Sequence, residues 1–196
     1  MYILFMRNLL CILIVASLGS LFELMYSNLT VYAENVDRYW SVLTGDKQVP
    51  PNSTDSVGFV GLKFQEDMKK LVFNVNVENI ENITGVYIYH GDKNQNGTVV
   101  LDLMEEAKEL GNDDENIVHV TREGLITGTV SVGGVTADDL QGQLKDKSLK
   151  DLYKSMVDGR IYVTVHTEDF PHGEIRGDSF IPIDRVFPDI SDFRWN

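Results

Sequence analysis

The chain has 196 residues, 43% of them apolar, and a formal net charge of −13. That is enough apolar material for one ordinary core. So acidic a chain lacks the basic stripe that a nucleic-acid partner requires, and suits a soluble protein or one that binds cations.

The first segment bears on compartment. Residues 1–22 carry one charge, Arg7, and residues 9–22 are an uncharged, mostly apolar run. A basic residue, an apolar run and then Val31-Tyr32-Ala33 fit a secretory signal cleaved after Ala33. The alternative is that residues 3–26 stay in place as a membrane anchor. The single cysteine, Cys11, lies inside this run. The expected mature domain, residues 34–181, therefore holds together without disulfides. Four N-x-[ST] sequons occur, at Asn28, Asn52, Asn82 and Asn96. The last three fall in polar, turn-like stretches that permit glycosylation.

Residues 38–43 (RYWSVL) read as a strand with Trp40 and Val42 on one face, and the prolines of 44–51 (TGDKQVPP) break it. Val60, Leu62 and Phe64 share a face of 58–64. Residues 66–69 turn, and 71–77 alternate with Leu71, Phe73, Val75 and Val77 inward. These two runs form a hairpin. Residues 86–90 (VYIYH) place Val86 and Ile88 on one face, Tyr87 and Tyr89 on the other. The loop 91–97 follows, then a strand over 98–103. Residues 104–110 could make one or two helical turns, and 112–116 an acidic loop. In 125–132 the face is Ile126, Val130 and Val132.

Helix is confined to 136–158. Thr136 caps 137–144, and Ser148 caps 149–157, whose apolar face is Leu149, Leu152, Tyr153 and Met156 before Gly159 ends it. Residues 161–177 (IYVTVHTEDFPHGEIRG) then read as a half-buried strand, a turn holding Pro171 and Gly173, and a short return strand. His166, Glu174 and Arg176 are expected on the polar face of that hairpin, with Glu174 and Arg176 fixing the loop through charge-assisted hydrogen bonds. The competing reading makes His166 a metal ligand or general base. The tail 182–196 carries Pro182, Pro188, Phe187, Phe193 and Trp195. Many short alternating strands with a single helical excursion indicate an all-β protein, an antiparallel β-sandwich.

Leu43-Thr44-Gly45 with Gln48-Val49-Pro50-Pro51 resembles the opening signature of the CHRD domain, the repeat named for chordin. Val163-Thr164-Val165-His166-Thr167 with Gly173-Glu174-Ile175-Arg176-Gly177 resembles its closing signature. Between them, Gly91 and Asn96-Gly97-Thr98-Val99-Val100 are similar to its central loop. The resemblance spans residues 39–181. It implies an extracytoplasmic, immunoglobulin-like sandwich with no known reaction. The family pattern also carries a His-x-His pair before the central loop, at the positions of Tyr87 and Tyr89 here. An i, i+2 pair of imidazoles points to one side of a strand and starts a metal site, whereas a neutral phenol is a poor ligand.

Three functions are weighed. The first is an exported, non-catalytic binding or structural module, free of cofactor, whose partner is an extracellular protein or envelope component. No Gly-x-Ser-x-Gly, phosphate loop or His-Glu-x-x-His occurs. The second is a metal-dependent redox or hydrolytic enzyme in the manner of the copper–zinc superoxide dismutases, drawing on His90, His119, His166 and His172. The third is calcium binding by Asp92, Asn94 and Asn96 in D-x-N-x-N-G. There the twelfth position is Leu103 in place of the bidentate Glu, and Asn96-Gly97 is an ordinary turn pair. The expectation is a turn.

Overall fold

The computed structural model describes residues 38–65, 67–105 and 123–183. Nine strands form one antiparallel sheet: β1 Arg38–Thr44, β2 Val57–Gln65, β3 Lys70–Glu81, β4 Ile83–His90, β5 Thr98–Asp102, β6 Leu125–Val135, β7 Ile161–Thr167, β8 Ile175–Gly177 and β9 Ile181–Pro182. Their order is β5-β4-β7-β8-β1-β2-β3-β6, with β9 paired to β1. Among the described residues one α-helix, α1 Leu149–Val157, precedes β7. The all-β expectation holds. Among the described residues no helix is long and apolar enough to cross a membrane. The leader, residues 106–110, the acidic loop 112–116, His119 and residues 184–196 lie outside the described residues.

Alternation builds the centre of the sheet. Leu71, Phe73 and Val75 of β3 pair with Phe64, Leu62 and Val60 of β2, and all six are buried. Side chains of one parity share a face, so each pair adds to a single apolar layer. The turn between these strands passes through Asp67 and Met68, both at positive φ.

Three elements depart from the sequence pattern. In β1 the buried parity is Tyr39, Ser41 and Leu43; Trp40 and Val42 lie half-buried on the other face. Tyr39 turns inward because it completes an aromatic cluster with Phe64 and Tyr153, its hydroxyl 3.0 Å from that of Tyr153. In β6 the partners run Val75–Ser131 and Asn76–Thr129, so Val130 is the extra residue of a bulge. The bulge shifts the parity. Val130 and Ser131 are both buried, and Val132 falls on the half-buried side. Residues 137–144 make two 3₁₀ turns, Ala137–Asp139 and Gly142–Leu144, in place of one helix. Gly142 sits at φ +58°, where an added Cβ would meet the Val99 carbonyl at 2.4 Å.

Helix α1 forms as its sequence indicates. Ser148 and Asp151 make a reciprocal capping box, and Leu149, Leu152 and Met156 are buried. The sheet curls until its two ends meet. Ser131 Oγ on β6 donates to the carbonyl of Leu103, the residue after β5, and Leu103 N–H returns to Val86 on β4.

Candidate functional site

Strand β7 was expected to be half-buried; every residue in it except His166 is buried. It lies between β4 and β8, with α1 packed against it. Register then assembles one polar face. Tyr89 stands opposite Tyr162, and Tyr87 opposite Thr164; Thr164 stands opposite Arg176, and Arg176 opposite Thr44. One row thus crosses four strands.

The aromatic groups of this face form a column. The Tyr89 ring stacks on Tyr162 at 5.1 Å and lies parallel to His166 at 6.0 Å, while Tyr87 meets His166 edge-on at 5.0 Å. Beyond Tyr162, the Arg176 guanidinium carbon sits 3.5 Å from the ring centroid, a cation–π contact. His166 Nδ1 is 2.9 Å from the Pro171 carbonyl oxygen. A carbonyl only accepts, so Nδ1 carries the proton. In the neutral ring Nε2 then accepts from the Tyr89 hydroxyl, 3.1 Å away. Burial keeps the imidazole neutral by pushing its pKa below the ordinary 6.5; the Pro171 hydrogen bond opposes this, and His172 adds to it. Burial also pushes the Tyr89 phenol up to about 12, helped by Tyr162 and Tyr87. Tyr87 rises for the same first reason, with Asp102 second.

His166, Glu174 and Arg176 do not form the single group that the sequence suggests. Glu174 turns away from Arg176. One carboxylate oxygen accepts from Thr54 Oγ1 (2.7 Å) and Ser56 Oγ (2.6 Å), and the other from Thr167 Oγ1 (2.9 Å). The turn at Gly173, φ +111°, sets this direction, since Glu174 precedes β8 and is not held to its parity. Arg176, fully buried, donates instead to the carbonyls of Lys93 (3.0 Å) and Gln95 (3.3 Å). Arg176 therefore pins the loop 91–97, and Glu174 pins the segment 54–56. Gly177 lies against Ser41 and the Val42 carbonyl, where a Cβ would stand 2.8–3.0 Å from both.

The calcium-like loop is exposed at Asp92, Asn94 and Asn96. Its inner carbonyls already face a guanidinium, and the Asn96 amide donates to the Val49 carbonyl. His90 is on the other parity of β4, beside a shallow cleft of about 340 Å³ shared with Asp92, Gln143 and Arg160. His172 is exposed in the hairpin loop. Among the described residues no three His, Cys, Asp or Glu side chains gather closely enough to share a metal ion. Of the sequons, Asn52 spends its amide on the carbonyls of Gly173 and Glu174 (2.7 and 3.1 Å), and Asn82 accepts from Gly124 N–H.

Sequence reasoning missed Asn52, Thr54 and Ser56 as partners of the closing hairpin. Their signal was an alternating polar run directly after two prolines, which the sequon reading absorbed. It also missed Thr44, the strand partner of Arg176, and Gln48, which packs against Gly173.

These features define an all-β module with a buried arginine at its centre and tyrosines along one face. Residues 39–178 match the CHRD domain, and the chain belongs to that family. Comparison with curated proteins and with solved structures gave no significant match.

Proposed function

We propose that this chain is an exported, non-catalytic binding module, and that Tyr87, Tyr89 and His166 are the centre of its ligand surface. The carrying observation is that these three half-buried side chains meet on one face although they come from two distant stretches of sequence. Amphipathic rings with a polar tip are suited to binding through area plus one or two hydrogen bonds. Phenols pushed above their ordinary pKa remain protonated at neutral pH, which supports contact chemistry over proton transfer or metal ligation.

The apolar leader supports export, by cleavage or as an anchor. The curling of one antiparallel sheet onto itself supports the immunoglobulin-like sandwich that the family resemblance implies. Where the family pattern has two imidazoles, two phenols now touch His166, and this supports a module that has exchanged a metal-type site for an aromatic one. The guanidinium on the carbonyls of loop 91–97 supports reading that loop as a turn.

The test uses the full-length chain as bait against solubilised cell envelope. Wild type is expected to retain a component that the Tyr87→Ala/Tyr89→Ala double variant releases, with unchanged far-UV circular dichroism. Equal retention by both would move the ligand surface elsewhere. A catalytic turnover lost in the same variant would replace the binding reading with an enzymatic one.

A further inference from the structure

Arg176 heads the fully buried side chains of the described residues by volume. A buried charge is strongly unfavourable unless it is paired and fully hydrogen-bonded. Its two terminal nitrogens reach carbonyls, which are neutral. No carboxylate lies within ion-pair distance of it among the described residues, where the single ion pair is Arg160–Asp158. Asp178 acts on it only from farther off.

Four buried polar atoms, on Arg176, its two cross-strand neighbours and the turn after β1, have no hydrogen-bond partner among the described residues: Arg176 Nε, Thr44 Oγ1, Thr164 Oγ1 and Gln48 Nε2. Their placement is shared. Thr44 and Thr164 are the two cross-strand neighbours of Arg176, on its own face. Gln48, held by the turn after β1, brings Nε2 to 2.6 Å from where a Cβ on Gly173 would stand; the Thr164 methyl is 2.3 Å from the same point. Gly173 is thus required where these groups close on one another.

Arg176 Nε and Gln48 Nε2 can only donate, one of them from a cation, and the two threonine hydroxyls can donate as well as accept. One water could meet all four, accepting from the two nitrogens and donating to the two hydroxyls, but it brings no charge to the unpaired guanidinium. A small anion takes all four and supplies the missing charge. We propose that Arg176, Gln48, Thr44 and Thr164 form an internal site for a monovalent anion of the chloride class. The anion ties together β1, the turn 45–48 and the closing hairpin.

Binding to the folded state alone raises stability with ligand concentration. Full-length protein is expected to melt at a higher temperature in chloride than in gluconate at equal ionic strength, with saturation. Crystals soaked in bromide are expected to show anomalous density beside Arg176 Nε. Gln48→Glu supplies the negative charge covalently; it is expected to fold, to melt at least as high as wild type in gluconate, and to lose the halide dependence. Thr164→Val is expected to weaken the halide response about tenfold, one lost hydrogen bond to a charged group. Equal melting in both salts together with no bromide density overturns the site. So does a halide response that persists unchanged in Gln48→Glu.

Discussion

At the scale of single residues, His166 links the aromatic face to pH. Its folded pKa is depressed by burial below the ordinary 6.5. Between those two values the unfolded chain binds the proton that the folded chain refuses. Stability is therefore present in full above 6.5 and falls as acid is added through the window beneath it. Asp151, whose pKa is lowered by its hydrogen bonds to Ser148, loses its contribution only below its ordinary 3.8, so the His166 window opens first as the pH falls. Urea melts at about pH 7 and about pH 5 are expected to show wild type less stable at the lower value, with the difference reduced in His166→Gln. An equal pH slope in the variant would mean that His166 is not the titrating group.

At the scale of elements, the closing hairpin is held from outside rather than by its own charges. Glu174 accepts from three hydroxyls, two of them on the segment after the paired prolines. Glu174→Ala leaves the buried Thr167 hydroxyl without its acceptor, while Ser56 keeps the Asn79 carbonyl and Thr54 keeps Ser56; it is expected to cost roughly 1–3 kcal/mol, and Glu174→Gln, which keeps an acceptor, roughly 1 kcal/mol or less. Denaturant melts of both variants measure this; equal losses would mean that the side chain acts by volume alone. The same hairpin shows what the sequence could carry. Its two strands, its turn and the identity of its signature residues were legible, because alternation and glycine are local signals. The direction of Glu174 was not, because the hydroxyls of Thr54 and Ser56, more than a hundred positions away, decide it together with the Gly173 turn. Likewise Tyr87 and Tyr89 could be placed on one face of β4, but His166 joins them only through the β4–β7 pairing. The Val130 bulge and the inward Tyr39 were hidden for the same reason. Each is settled by a partner strand or ring that the local pattern does not contain.

At the scale of the whole molecule, the dominant fact is charge. Thirty acidic residues face 17 basic ones. Among the described residues the one ion pair, Arg160–Asp158 at 3.9 Å, is about half exposed at both partners, and such a pair contributes little. Among the described residues the negative charge is therefore scarcely offset by pairing, and the compact state holds it closer together than the unfolded chain does. At about 0.01 M salt the screening length is roughly 30 Å, about the size of a domain, so most carboxylates repel one another; at about 0.1 M it shrinks to roughly 10 Å. The melting temperature is accordingly expected to rise by several degrees over that range. This rise depends on ionic strength alone, so it is expected in gluconate as well as in chloride, and in Gln48→Glu as well as in wild type. The chloride-specific increment at Arg176 adds to it and disappears in that variant. A melting temperature that stays flat or falls as gluconate increases would show that self-repulsion does not limit this fold. The acidic surface would then have to be explained by what it attracts.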